Sequence, residues 1–250
     1  MPDPPHHQPL HHWDPRRGRD YKSFWNSLAS TPEGAVIGVL GEAKSDDEIA
    51  AASARALDII RTILALSGRE VVLEVGCGIG RVARGLAPHC RRYVGVDISE
   101  NMIHEARRRC DDLSNVAFSP LEKSDLSLFP DASFDAVVFE IVLIHLARED
   151  AFRYLCEARR VLRTGGVAYC QFYNLLHPGG WEFFLRNVRH GEIMGESLVA
   201  RPRFYTAPEV RKMMEGAGFS LDEDRSRLEL IQQKKPVPEP FELIALGRKP

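Results

Sequence analysis

The segment Val71-Val72-Leu73-Glu74-Val75-Gly76-Cys77-Gly78-Ile79-Gly80 limits the possible folds of this chain more than any other part of it. Its first half is a short run of β-branched and aliphatic residues, the pattern of a strand buried on both faces. Glycines then alternate at 76, 78 and 80, where a backbone can turn sharply and approach a ligand with no Cβ between them. Arg81 to Ala87 reads as the helix leaving that turn. A strand, a glycine turn and a helix in this order outline a nucleotide-binding crevice.

Glu74 bears on which ligand enters. Gly78-Ile79-Gly80-Arg81-Val82-Ala83 fits the G-x-G-x-x-A fingerprint, which seats a pyrophosphate on a helix N-terminus. An acid sits poorly beside a pyrophosphate and well beside a cation. A tight turn with no ligand fits the same residues. Arg92 to Asp97 reads as a second strand ending in an acid, at the interval after the glycines where a carboxylate binds ribose hydroxyls. Nicotinamide enzymes use the same device, so Asp97 points to an adenosine without choosing the cofactor.

With 44% hydrophobic and 27% charged residues, the 250-residue chain has the composition of a soluble globular protein. No apolar run approaches the roughly 20 residues of a membrane span, and no secretory core opens the chain. A net charge of −2 gives no electrostatic reason to expect nucleic acid. Five cysteines without a C-x-x-C pair suit free thiols in a cytoplasm. Residues 1–20 hold five prolines and four histidines and are expected to be a disordered tail. His6, His7, His11 and His12 there have no fixed metal-binding geometry, and no metal is expected.

Four segments then carry a resemblance. Leu73 to Gly80, Val94-Gly95-Val96-Asp97-Ile98-Ser99-Glu100-Asn101-Met102, Phe134-Asp135-Ala136-Val137-Val138 and Arg160-Val161-Leu162-Arg163-Thr164-Gly165-Gly166 stand in order at matching spacings. The chain resembles the class I S-adenosylmethionine-dependent methyltransferases, especially the small-molecule branch called type 11. The resemblance runs from about Ser67 to Gly166 and resumes from Phe204 to Phe219. It implies an α/β fold: a Rossmann-like, doubly wound, mainly parallel seven-stranded sheet, with N-terminal helices and a cap insertion after the fifth strand. The domain boundaries that follow are an N-terminal helical lid or scaffold at 21–66 and a methyltransferase domain at 67–250, its substrate-cap insertion at 174–205.

The resemblance also assigns cofactor roles for S-adenosylmethionine. Gly76, Cys77 and Gly78 match the turn against the methionine portion, and Glu74 the acid that orients it. Asp97 matches the ribose acid, and Ile98 and Met102 the adenine sandwich. After the third strand, Leu121-Glu122-Lys123 stands where similar proteins show Gly-Asp-Ala, so Glu122 takes the adenine-binding role with Leu121 beside it. Tyr21 and Trp25, on a helix-spaced aromatic pattern, pack on the core or close over the methionine end.

Methyl transfer is an in-line displacement and needs chiefly alignment, with a base only where the nucleophile arrives protonated. Candidates for that base or for substrate orientation are Glu140 at the end of the fourth strand, which is also assigned to cofactor binding because its carboxylate could meet the cofactor's ammonium, His145 and His177. His190 and Tyr173 are weaker. Arg186, Arg189, Arg201 and Arg203 in the insertion pair with an anionic group on an aromatic acceptor, or form a solvated rim or dimer contact. The expected function is methyl transfer to oxygen or nitrogen of a small molecule. A non-catalytic or non-methylating S-adenosylmethionine-binding protein is the alternative, and a nicotinamide oxidoreductase a more distant one.

Elsewhere the pattern predicts a helix over 45–66, opened by a Ser45/Glu48 capping box and closed at Gly68. Gly34 to Gly41, between the two N-terminal helices, is apolar and glycine-rich and is expected to line the pocket entrance. Strands are expected near 71–75, 93–97, 116–119, 134–140, 167–173, 219–230 and 241–246, with the last one antiparallel.

Overall fold

The computed structural model describes residues 20–42, 44–194, 201–228 and 242–250. The histidine-rich tail, residues 195–200 of the insertion and the end of the expected sixth strand lie outside the described residues. Three helices precede the sheet: α1 (Tyr21–Leu28), α2 (Pro32–Leu40) and α3 (Asp46–Leu64). Strand and helix then alternate: β1 (Val71–Val75), α4 (Arg81–Leu86), β2 (Arg92–Asp97), α5 (Glu100–Arg109), β3 (Val116–Pro120), β4 (Phe134–Phe139), α6 (Arg148–Val161) and β5 (Leu162–Asn174). The chain continues through α7 (Pro178–Met194), β6 (Phe204–Tyr205), α8 (Ala207–Gly216), β7 (Ser220–Leu221) and β8 (Glu242–Arg248).

The sheet runs β3-β2-β1-β4-β5-β8-β7, with β6 paired to β5 off that path. β1 to β5 pair in parallel, and β8 lies antiparallel between β5 and β7. The seven expected strands are therefore present, and a two-residue eighth is added by the insertion. The chain order reverses at β1, so the crevice beyond the carboxyl ends of β1 and β4 is the topological switch point where such sheets bind ligands.

Alternate residues of each strand face opposite layers. Leu73, Val75, Val94, Val96, Val137 and Phe139 pack with Tyr154 and Leu155 of α6 and with Val210 and Met214 of α8. Val72, Tyr93, Ala136, Val138 and Tyr169 pack on the other side with Ile60 and Ile63 of α3, Val82 and Leu86 of α4, and Ile103 of α5. Glu74 and Tyr93 share this second layer, and an acid is tolerated in it because the Tyr93 hydroxyl donates to Glu74 Oε2 at 2.7 Å.

Space at the crevice is set by Gly95 in β2. A Cβ there would stand 2.6 Å from Phe118 Cδ1 and 3.0 Å from Cys77 Sγ, so a methyl group would push against the ligand turn itself. Gly95→Ala is expected to cost about 1–3 kcal/mol of stability through overpacking, read as a lowered denaturation midpoint at unchanged slope.

Three local expectations change. The segment between the two expected helices is itself helical, α2, and Gly38 and Val39 on it do line the pocket: Thr31 Oγ1 accepts from Gly34 N–H, Pro32 opens the first turn and Gly41 caps it in the left-handed region. The Ser45/Glu48 capping box forms as expected, but α3 ends at Ala65, whose φ is 50°, and not at Gly68. The strand expected over 219–230 shrinks to Ser220–Leu221 and a single bridge from Arg227 to Ile244. Part of the insertion is helical, over Pro178–Met194.

Candidate functional site

The carboxyl ends of β1, β2 and β4 open into a cavity of ≈ 860 Å³, its mouth included. Its floor is Glu74 to Gly78 and the wall on the β2 side is Asp97, Ile98, Met102 and Leu121. The turn after β4 supplies Glu140, Ile141, Val142 and His145, and the N-terminal helices cover the cavity with Tyr21, Trp25, Gly38 and Val39. All the sequence-assigned cofactor residues but Glu122 thus meet in this one cavity, among them Glu140, which with His145 is also a catalytic candidate.

The floor is shaped by Gly76, whose φ is 73°. A Cβ there would lie 2.5 Å from Val142 Cγ2, so only glycine serves both the turn and the neighbouring wall. The N–H groups of Gly76 and Cys77 donate to Val96 O at 2.8 and 3.0 Å, and that of Gly78 to Asp97 Oδ2 at 2.9 Å. These donors are committed to β2, so this part of the turn offers no cradle of free N–H groups for a phosphate. The electrostatics agree, since the floor is acidic.

Asp97 receives a second N–H, from Ser99 to Oδ1 at 2.9 Å. These backbone N–H groups fix the orientation of the carboxylate at the end of β2. Burial pushes Asp97 up to about 6, against those backbone hydrogen bonds. Burial raises Glu74 to about 8, although Tyr93 and Arg81 favour its charge. Glu140, 5% exposed, is raised by burial to about 7 against the pull of Arg81, whose Nη2 lies 3.5 Å from Oε1. All three acids hold protons more tightly folded than unfolded. Their stabilising contribution is complete below the ordinary carboxylate range and is lost as pH rises through about 6 to 8.

By bond geometry two buried side-chain atoms lack a hydrogen-bond partner among the described residues, Glu140 Oε2 and His145 Nδ1, although the buried Tyr169 hydroxyl also favours the charge of the Glu140 carboxylate. Both residues line this cavity. His145 lies in a single 3-10 turn, Leu143–His145, its ring edge-on to Trp25 at 5.1 Å between centroids. Burial, with the Arg203 charge, lowers it to about 4, so the ring is neutral at ordinary pH. Arg203 Nη1 donates to the His145 carbonyl at 2.9 Å and ties the insertion to this turn.

The cover is fastened at both ends of α1. The Tyr21 hydroxyl donates to Asp150 Oδ2 at 3.0 Å and accepts from Ala147 N–H at 3.0 Å. Asn26 Oδ1 accepts from Ser99 Oγ at 2.8 Å, next to the ribose acid.

Two assigned residues lie outside the cavity wall. Glu122 is exposed; after β3 the wall passes from Leu121 to Ser124, and the intervening pair turns outward. His177 sits at the start of α7, where Nδ1 accepts from Gly179 N–H at 3.1 Å and satisfies a donor of the first turn. Arg186, Arg189, Arg201 and Arg203 do not line the cavity either. The wall contains a residue the sequence pattern did not flag, Arg81. A cation in the first turn of a helix opposes the helix dipole, and that mismatch is a sign that a buried acid pairs with it.

Such a sheet, with acids at the ends of β1, β2 and β4 and no phosphate cradle among the floor amides described, defines the Rossmann-like methyltransferase class. A family model described as a methyltransferase domain matches residues 72–166. An uncharacterised methyltransferase of Schizosaccharomyces pombe is 32% identical over 70% of this chain and 69% of its own length. The chain belongs to the class I S-adenosylmethionine-dependent methyltransferase family. The demethylmenaquinone methyltransferase of Tropheryma whipplei is 38% identical over 44% of this chain, and the match spans 45% of that enzyme. The solved magnesium protoporphyrin IX methyltransferase of Synechocystis, with bound SAH, shares the fold at a TM-score of 0.66 and 17% identity, covering 92% of this chain and 98% of that one.

Proposed function

We propose that this protein binds S-adenosylmethionine in the β1–β4 cavity and directs its methyl group to an oxygen or nitrogen of a small acceptor that is neutral or cationic. The carrying observation is the pair of unpartnered buried atoms, Glu140 Oε2 and His145 Nδ1, in one acid-lined cavity. A buried polar atom without a partner calls for one, and this environment favours a ligand that brings cations and proton donors. When bound, S-adenosylmethionine supplies an activated methyl group on a sulfonium.

The chain's own residues then bind, orient and take up a proton. Asp97 holds the ribose hydroxyls, Ile98 and Met102 flank the adenine, and the Glu74 side of the floor balances positive charge. Glu140, poised near neutral pH, is suited to accept the acceptor's proton. His145 Nδ1 offers the acceptor a second hydrogen bond, and Trp25 closes the apolar side. Arg81, which lines the wall, is held by Glu140, and this favours neutral or cationic acceptors over anionic ones. The methyltransferase names of the relatives support the reading. No helix among the described residues is long and apolar enough to cross a membrane.

The pH dependence has a definite sign. A bound cation stabilises ionised carboxylates, so affinity for S-adenosylmethionine is expected to tighten as pH rises from about 6 to 8, through the values of Glu140 and Glu74. Calorimetry at a series of pH values checks this; an affinity that weakens over that range contradicts it. The activity itself is tested by incubating the protein with methyl-labelled S-adenosylmethionine and a panel of phenols, alcohols and amines. Label appearing on an acceptor supports the reading. Tight binding with no transfer to any of them favours the non-methylating alternative.

A further inference from the structure

Ile141 lies in the cavity wall with φ 55°, a left-handed backbone that a β-branched residue adopts only when its surroundings impose it. The source of that constraint is on β5. The parallel pairing of β4 with β5 ends at Phe139 and Cys170. One residue further, where the next backbone acceptor of the ladder would stand, the side chain of Gln171 takes over: its Oε1 accepts from Ile141 N–H at 3.1 Å. Gln171 is 3% exposed, and Glu242 stands diagonally across the β5–β8 ladder from it, where burial raises the acid and the Gln171 amide favours its charged form. The Ile141 N–H fixes which end of the amide faces it, since only the oxygen can accept.

The reversal at Ile141 places both neighbours. Glu140 before it carries the unpartnered Oε2, and Val142 after it packs against Gly76 at the base of the ligand turn. We propose that Gln171, backed by Glu242, is a positioning residue of this site: it clamps Ile141 in the left-handed conformation that presents Glu140 and Val142 to the bound cofactor. This rests on the reading of the cavity given above.

The test uses the full chain and S-adenosylhomocysteine as probe, with thermal melting of the ligand-free protein measured alongside. Q171A is expected to lower the melting temperature and to raise the Kd about tenfold. Adding I141G should restore both to near wild type, since glycine adopts positive φ freely. Adding I141A should restore neither, because alanine removes the same branched side chain but keeps the strained Cβ. If Q171A alone does not fold, folding of Q171A/I141G but not of Q171A/I141A supports the clamp, and failure of both overturns it. Wild-type affinity and melting in Q171A, or equal rescue by alanine and glycine, also overturns it. If the wild-type protein binds no S-adenosylhomocysteine, the cavity reading fails and the positioning role with it, while the ligand-free melting series still decides whether Gln171 clamps Ile141.

Discussion

Asp97→Ala is expected to weaken S-adenosylhomocysteine binding by about 3 kcal/mol, roughly a hundredfold in Kd, through loss of two hydrogen bonds from ribose hydroxyls to a charged acceptor. The fold should survive. Asp97 is buried at the end of β2 and its folded form is raised to about 6, so removing it also removes a charge that burial opposes. Against this stands the release of the Gly78 and Ser99 N–H groups, each now donating to its carboxylate at 2.9 Å. Asp97→Asn separates the two effects, since it keeps one acceptor oxygen and the side-chain volume. Calorimetry and circular dichroism on both variants check the prediction; unchanged affinity in folded Asp97→Ala would remove the ribose role.

Glu140→Gln should fall most heavily on turnover. The substitution keeps the shape and a partner for Arg81 but cannot take up a proton. A general base contributes roughly 10²–10⁴-fold, so kcat is expected to drop at least about a hundredfold with an acceptor that arrives protonated. The rise of affinity with pH should flatten in the same variant, because a group at about 7 no longer titrates. With a thiolate or other deprotonated acceptor the loss in kcat should largely vanish. Full retention of both turnover and pH slope would make Glu140 structural.

Much of this site was legible because it is written in local patterns. A buried strand that ends in an acid and glycines shows itself in a few consecutive residues, and Glu74, Gly76, Gly78 and Asp97 all lie in such stretches. The N-terminal aromatics were visible by helical spacing, and Tyr21 and Trp25 do reach the cavity. Other features depend on partners far along the chain. Nothing near Tyr21 announces that its hydroxyl meets Asp150, and nothing near Arg81 names Glu140. The left-handed Ile141 has no local signature, since its cause is a side chain thirty residues on.

The misplaced residues have local explanations as well. Glu122 was assigned by its offset from the third strand, but the turn there carries Lys123 and directs both charges outward, leaving the wall to Ser124. His177 stood beside a strand end that could face an acceptor, yet the helix that follows needs its first donors satisfied and uses the ring for that. In α2 the glycine-rich composition concealed a helix between the two that were expected. The helix forms because Thr31, Pro32 and Gly41 supply both ends, and because Ala35 and Val36 are buried against Ile79 and Met102.

The central claim is that the acid-lined cavity holds a sulfonium nucleoside and rejects a dinucleotide. Calorimetric titration of the folded protein at pH 8 with S-adenosylmethionine, S-adenosylhomocysteine and NADH tests it directly. The account predicts saturable heat with the first two, one molecule per chain, and none with NADH. Heat with NADH alone, or with none of the three, would contradict it.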